Sequence, residues 1–342
     1  MLIVDGIIYS LQRHGGITVY FNELLQRASV SGLLYRTLVY DGAANHVAAL
    51  PGDVLKLKRR FAERYRPCPV PRDAGVFHSS YYRLPDRAIP TVTTVHDFTY
   101  ERFAKGPRRW LHSWQKFEAI RKSEAIICIS ESTRQDLLNF VGVRADQAVY
   151  VIPNGVSNGF KPISIVPSPS PFILFVGERR GYKNFAFALA GLAFLPYLEL
   201  HCVGGGPLRE DEFAACNPSV RARVRHLGFV TDETLNAAYN QAVCLVYPSR
   251  YEGFGIPAVE AMKAGCPVVS VNCKAVVEVG GQALERLDDE DPKALAHTVS
   301  RLCEPAYRAQ RVAAGLQQAT IYDWRRCHDQ TLSVYRSLSG KV

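Results

Sequence analysis

The sequence has 342 residues, more than the roughly 100–200 of a usual domain, and is 47% apolar and 21% charged, with too few Gly and Pro for a low-complexity chain. That excludes a disordered or fibrous chain, and a chain too small to hold a core without staples, and it predicts two globular domains. The 41 Lys+Arg against 32 Asp+Glu leave a net charge of +9, which points to an anionic partner without naming it.

Nine cysteines form no C-x-x-C pair, and several sit in apolar runs such as Ile126-Ile127-Cys128-Ile129. Buried reduced thiols of a cytoplasmic protein are expected. The opening Met-Leu-Ile-Val-Asp5 has no basic start, and Asp5 interrupts its apolar run, so no signal peptide is expected. No apolar run approaches the roughly 20 residues of a membrane span.

Along the first half, short β-branched or aromatic runs occur at 2–8, 33–40, 75–78, 91–96, 125–130 and 148–152. The second half repeats the pattern at 172–177, 198–204, 223–229, 243–248 and 267–271. Each run is bounded by turn residues and separated from the next by a helical pattern, the signature of parallel strands with crossover helices. Two sets predict two doubly wound sheets. The Pro- and Ser-rich stretch around 161–171 reads as an exposed linker. The expected organisation is therefore an N-terminal domain over 1–161, a linker over 162–170, a second domain over 171–321, and a C-terminal helix over 322–342 packing back on the first domain.

After the first run, Arg13-His14-Gly15-Gly16 is a glycine-rich strand-to-helix turn that lets backbone approach a ligand closely, or simply makes the turn. Residues 1–160 hold 21 Lys+Arg against 14 Asp+Glu, concentrated in Lys56-Leu-Lys-Arg-Arg60 with Arg64 and Arg66, and in 102–122. The second stretch spaces Trp110, Trp114 and Phe117 on one helical face. That face is either an ordinary core-facing stripe backed by solvated charge or an interfacial surface toward anionic lipid. No nucleic-acid-binding motif accompanies the charge.

Thr93-Thr-Val-His96-Asp97 places a His-Asp pair at the carboxyl end of a strand, where doubly wound sheets bind ligands. Ser130-Glu-Ser-Thr133 reads as a helix start and Asn154-Gly155 as a turn. In the second half, Phe175-Val-Gly-Glu-Arg179-Arg180-Gly-Tyr-Lys183-Asn184 carries three cations within five residues after a strand, able to neutralise a leaving diphosphate. The run Val203-Gly-Gly-Gly-Pro207 allows close approach to a nucleotide but departs from G-x-G-x-x-G, which disfavours a dehydrogenase.

The most informative stretch runs from Tyr247 to Val269. A strand ends in the loop Gly253-Phe254-Gly255, Pro257 suits a first helical turn, and Gly265 stops the helix. Backbone N–H groups at that helix start form an anion site, bracketed by Glu252 before the helix and Glu260 within it. Carboxylates on both sides of an anion site suit a nucleotide sugar, with hydroxyls flanking its phosphates. Farther on, Asp288-Asp-Glu-Asp-Pro292 has a metal-binding spacing, but Pro292 and the apolar residues after it read Asp291 as a helix cap. No catalytic metal and no cofactor are expected.

The Glu252-x7-Glu260 stretch resembles the motif of retaining glycosyltransferases of GT-B architecture, especially glycosyltransferase family 4 (glycosyl transferases group 1). The resemblance is strong in the second half and looser in the first. It implies an α/β fold of two doubly wound Rossmann-like domains facing across a cleft. Glu252 would then contact donor-sugar hydroxyls, Glu260 the ribose, and the N–H groups around Gly253, Phe254, Gly255 and Ile256 the diphosphate. Arg179 and Lys183 would sit on the phosphates, Arg180 being less certain, and Gly15 and Gly16 near them. His96 would be the catalytic histidine at the donor sugar, with Asp97 orienting it.

The Gly-Glu-Arg-Arg-Gly-Tyr-Lys-Asn run is similar to that of bacterial polysaccharide mannosyltransferases. The resemblance thus implies transfer of a hexose from a nucleotide diphosphate sugar, GDP-mannose or a related GDP-deoxyhexose favoured, to a growing lipid-linked glycan such as O-antigen. The enzyme would work in the cytoplasm or on the cytosolic membrane face, with no nucleic-acid partner. Two other classes stand beside it: a same-fold epimerase or phosphorylase, and a non-enzymatic basic binder of membrane or nucleic acid. The binder leaves Glu252 and Glu260 without a role.

Overall fold

The computed structural model describes residues 1–12, 15–43, 50–164, 166 and 168–339, leaving aside the Arg108 side chain. It divides into two compact units, Met1–Gly155 with Asp323–Val342, and Val156–Tyr322.

In the first unit seven strands form one parallel sheet: β1 (Leu2–Asp5), β2 (Tyr35–Tyr40), β3 (Asp53–Leu57), β4 (Val76–Ser79), β5 (Thr91–Val95), β6 (Ala125–Cys128) and β7 (Ala148–Val151), in the order β3-β2-β1-β4-β5-β6-β7. The central strands are buried on both faces, as parallel strands covered by helices must be, which is why β5 and β6 read as unbroken apolar or β-branched runs and β1 and β4 turn polar only at their carboxyl ends, at Asp5 and at His78-Ser79. The edge strand β3, Asp-Val-Leu-Lys-Leu, has no fully buried residue and lies outside the runs expected from sequence. Its pairing with β2 is nevertheless regular, Arg36 opposite Asp53 through Tyr40 opposite Leu57.

The C-terminal helix Trp324–Ser339 belongs to this unit and buries Trp324, Cys327, Leu332, Val334, Tyr335 and Leu338 in its core. It packs on the helix Gly16–Val30. Its Tyr335 hydroxyl meets His78 Nδ1 at 2.6 Å, and His78 Nε2 meets Thr94 Oγ1 at 2.9 Å, tying the helix to β4 and β5. A Cβ at Gly155 would lie 2.2 Å from the Trp324 backbone nitrogen, so only glycine admits the helix start.

The second unit repeats the plan with β8 (Phe172–Val176), β9 (Glu199–Val203), β10 (Val224–Gly228), β11 (Leu245–Tyr247), β12 (Val268–Val271) and β13 (Leu284–Leu287), in the order β10-β9-β8-β11-β12-β13. All pairings are parallel. The edge strand β13, Leu-Glu-Arg-Leu, also lies outside the expected runs: it buries Leu284 and Leu287 but carries Glu285 and Arg286 between them. The 162–170 stretch does not separate the units: the chain passes between them at Gly155–Val156 and returns at Tyr322–Asp323. Residues on either side of 162 lie along the helix Asp232–Gln241, with the Lys161 and Ile163 N–H groups donating to Asn236 and Asn240 side chains at 3.0 and 2.9 Å.

In both sheets the strand order reverses direction beside the first strand, between β1 and β4 and between β8 and β11. Outside the carboxyl ends of such a pair lies the crevice in which doubly wound folds bind ligands. All nine cysteines are free thiols, seven of them buried. Among the described residues no helix is long and apolar enough to cross a membrane.

Candidate active site

At the reversal point of the second sheet, β8 runs out through Gly177 into the short turn Gly181–Lys183, and β11 runs out through Pro248 toward Glu252. The two loops are stitched by the Arg250 N–H donating to the Tyr182 carbonyl at 2.8 Å. This brings Lys183 Nζ within 2.6 Å of Glu252 Oε1, across 69 positions of sequence. The pair is not sealed: the side chains keep 15% and 13% of their exposure, so a ligand can reach them. Burial works against the charge on Lys183, but Glu252, with Tyr182 and Cys273 adding, leaves its pKa above the ordinary lysine value. Beneath the pair, burial and then the Glu252 carboxylate push the Tyr247 hydroxyl up, and burial takes the Cys273 thiol up to about 11. The floor is therefore neutral, and the ion pair carries the local charge.

After Glu252 the chain turns through Gly253–Gly255 into the helix Ile256–Lys263. Gly255 has φ of 111°, and a Cβ there would stand 3.2 Å from Val276 Cγ2. Both facts call for glycine. Phe254 sends its ring into the core, edge-on to Tyr322 at 5.4 Å, so this residue offers the site only backbone. Pro257 sits in the first turn, where no N–H is needed, and the dipole of the helix start favours an anion. Farther along the helix, Glu260 Oε2 accepts from the Tyr239 hydroxyl at 3.1 Å. Burial raises the Glu260 carboxyl to about 7, with Tyr239 opposing and Asp232 adding.

Arg179, expected beside Lys183 on a phosphate, is placed differently. Its buried guanidinium donates to the carbonyls of Gly204 at 3.1 Å, Pro207 at 3.0 Å and Gly206, and pairs with Glu212 Oε2 at 3.2 Å. The fork thereby holds the Gly204–Gly206 turn, where Gly204 and Gly205 have φ of 82° and 67°. Arg180 is exposed. Asp291 accepts the Lys293 N–H at 2.9 Å and caps the helix Pro292–Leu302. Among the described residues no group of three His, Cys, Asp or Glu is disposed to hold a metal ion.

In the first unit, His96 follows β5 and is buried, with Nε2 facing no hydrogen-bond partner. Burial lowers its pKa to about 4, Asp97 opposing and Lys116 reinforcing, so the ring is neutral at neutral pH. Asp97 does not hold the imidazole: its Oδ1 accepts the Thr99 N–H at 2.8 Å and starts the helix Thr99–Phe103. The loop is held instead by Lys116, whose buried ammonium donates to the Asp97 carbonyl, pairs with Glu101 at 3.0 Å and stands 3.6 Å above the Phe98 ring. Gly15 is extended and Gly16 begins its helix, while Arg13 and His14 lie outside the described residues.

At the reversal point of the first sheet, Arg83 donates to Asp5 at 3.0 Å, to Glu63 at 2.6 Å and to the Tyr40 hydroxyl at 2.7 Å. All four side chains are buried. Neither this network nor Lys116, Tyr239 and Tyr247 announced itself in sequence. Each is a polar residue in an ordinary strand, helix or loop pattern, and only tertiary pairing gives it a role.

Known proteins resemble this chain over nearly its whole length. Residues 170–305 match the glycosyl transferases group 1 family, and residues 36–158 match glycosyltransferase family 4. The chain is 28% identical over 368 residues to O-antigen chain mannosyltransferase B of Escherichia coli, covering 94% of this chain and 96% of that one. Among solved structures, sucrose-phosphate synthase of Thermosynechococcus elongatus superposes with a TM-score of 0.77 at 18% identity, over 100% of this chain and 99% of that one. HepE of Anabaena, solved with UDP and glucose, gives 0.74 at 16% identity, covering 98% and 99%. The chain belongs to the group 1, family 4 glycosyltransferases and has their GT-B fold of two Rossmann-like domains.

Proposed function

We propose that the chain is a retaining mannosyltransferase of polysaccharide synthesis, using GDP-mannose or a related GDP-deoxyhexose and no metal, with a lipid-linked glycan as acceptor at the cytosolic membrane face. The observation that carries the site is the half-open Lys183–Glu252 pair at the β8/β11 reversal point, directly before the Gly253–Gly255 turn and the Glu260 helix. A diphosphate between Lys183 and the helix start replaces Glu252 as the partner of the ammonium, freeing the carboxylate to accept from sugar hydroxyls. Glu260 then accepts from the ribose. The neutral His96 ring, with its unpartnered Nε2, is assigned to the donor sugar. The choice of mannose and of a polysaccharide acceptor rests on the likeness to the O-antigen chain mannosyltransferase.

In the proposed reaction the bond from C1 to the diphosphate oxygen breaks, and its electron pair leaves with the diphosphate. The acceptor hydroxyl oxygen bonds C1 on the same face, and its proton passes to a diphosphate oxygen. Lys183 and the helix start stabilise the charge that grows on the leaving group. Thermal shift with GDP, UDP and dTDP tests the donor: GDP is expected to raise the melting temperature most, and a shift with UDP alone overturns the assignment. Proton NMR of the product tests the stereochemistry, since an inverted anomer is incompatible with same-face transfer.

A further inference from the structure

The helix Pro107–Lys122 in the first unit buries Ala119 and Ile120 in its last turns, but its first turns are inside out. It buries its polar residues His112, Gln115 and Lys116, while Trp110 and Trp114 are 79% and 58% exposed. A core-facing aromatic stripe, one of the two roles its spacing allowed, is therefore not what the helix uses. Trp110, Trp114 and Phe117, with Phe140, line an open groove of about 360 Å³, at whose sides stand Arg109 and Arg121. The polar groups at its floor are already engaged: Ser113 donates to Glu101 at 2.9 Å, and Glu101 pairs with Lys116. A sugar would find few hydrogen-bond partners there, whereas an apolar surface would find aromatic rings.

Tertiary structure also joins the two basic stretches. Gln115 donates its side-chain amide to the Arg64 carbonyl, 51 positions away. A second groove, lined by Tyr65, Arg66, Trp114 and Lys122 among others, shares Trp114 with the first. Phe61, 90% exposed, lies in the same basic segment as Lys58, Arg59 and Arg66, its carbonyl accepting from Arg66 at 2.9 Å. Lys58, Arg59, Arg66, Arg109 and Arg121 enter no ion pair among the described residues.

Exposed tryptophans ringed by unpaired cations on a single face match an anionic lipid surface, where aromatic rings sit at headgroup level and the cations meet lipid phosphates. A second copy of this chain would oppose like charges across the same face. We propose that this Trp110–Trp114 face, continuous with the 58–66 segment, docks the protein on an anionic bilayer. The proposal deepens the reading of a lipid-linked acceptor and rests on it for its purpose.

The three tryptophans make the test direct, because Trp324 is buried in the core and serves as an internal reference. The full chain is mixed with phosphatidylcholine vesicles, with and without phosphatidylglycerol, carrying bromine on the acyl chains. Binding to the anionic vesicles is expected, with blue-shifted and quenched emission, and is lost at high salt. Arg109→Gln with Arg121→Gln is expected to weaken the partition on the order of tenfold or more. Trp110→Ser with Trp114→Ser is expected to abolish quenching while Trp324 emission stays native, which certifies the fold. Equal binding to both vesicles, or binding without quenching, overturns the proposal. Transfer to a water-soluble acceptor analogue is assayed beside it. Loss of vesicle binding with transfer intact rejects only the docking face, and quenching without any sugar transfer rejects only the reading of the active site.

Discussion

At the carboxyl ends of β1 and β4, Asp5, Arg83 and Glu63 close on one another with side-chain exposures of 1% or less. At the matching ends of β8 and β11, Lys183 and Glu252 form an ion pair that solvent still reaches. The strand order is the same in both sheets, so topology alone offers a ligand crevice twice. The first is filled by the protein's own charges and the second is left for a ligand's. A buried pair whose remaining hydrogen bonds are satisfied within the chain has nothing left to give a substrate. In the Asp5 network Tyr40 and Arg60 add bonds and the buried Asp5 Oδ2 alone lacks a partner, sealed from any ligand, whereas the Lys183 pair is open.

The largest effect expected from this contrast is on stability in the first unit. Arg83→Met leaves Asp5 buried without its cation and Glu63 with Arg60 alone, and is expected to cost about 3–5 kcal/mol, read as a lower urea midpoint at unchanged slope. A cost below about 1 kcal/mol would mean that water enters and relieves the carboxylates. The corresponding change in the second unit is expected to act on turnover. Lys183→Ala or Glu252→Ala should lower kcat by about 10²–10³ while the melting temperature barely moves. Wild-type turnover by either variant would remove the pair from the reaction.

The two units are also expected to answer pH with opposite signs. In the first, burial holds His78 at about 3 and His96 at about 4, below the 6.5 of a free histidine. The unfolded chain takes up protons that the native unit refuses. Their contribution is therefore full above pH 6.5 and fades as pH falls through about 4 and then 3. In the second, burial raises Glu260 from 4.5 to about 7, so the native unit keeps a proton that the unfolded chain has released. That contribution is full below pH 4.5 and is lost as pH rises through about 7. Melting temperature against pH should show His96→Asn flattening the acid limb and Glu260→Gln the alkaline one. If both variants flatten the same limb, the burial argument fails for one of them.

Sequence resolved the central strands of both sheets because strands buried on two faces are rich in apolar and β-branched residues. It missed β3 and β13 because an edge strand pairs on one side and tolerates Lys56 or Glu285 in its middle. The boundary fell within 162–170 because Pro and Ser mark exposed chain, yet here that stretch starts along a helix of the second unit. Near the site, Glu252, the Gly253–Gly255 turn and Glu260 were legible because turn, helix start and carboxylates are contiguous in sequence. The partners Tyr239, Tyr247 and Lys116 were not, since each reaches its role across a tertiary contact.

Arg179 gives the smallest effect and the finest division between the two kinds of charge. It sits in the ligand-binding unit, but its bonds run to the Gly204, Gly206 and Pro207 carbonyls and to Glu212, so by the standard of Arg83 it is internal. A planar fork making several bonds is not replaced by an ammonium, which keeps the charge and loses the geometry. If holding the Gly204–Gly206 turn is its work, Arg179→Lys and Arg179→Gln should raise KM for the donor alike. The rise should stay below about tenfold, with kcat within a few-fold of wild type. If instead the guanidinium turns to the diphosphate when donor binds, the two variants separate: Gln loses kcat toward the level of Lys183→Ala, and Lys keeps most of it. Steady-state kinetics of the pair thus decides whether the second crevice works with one cation or two.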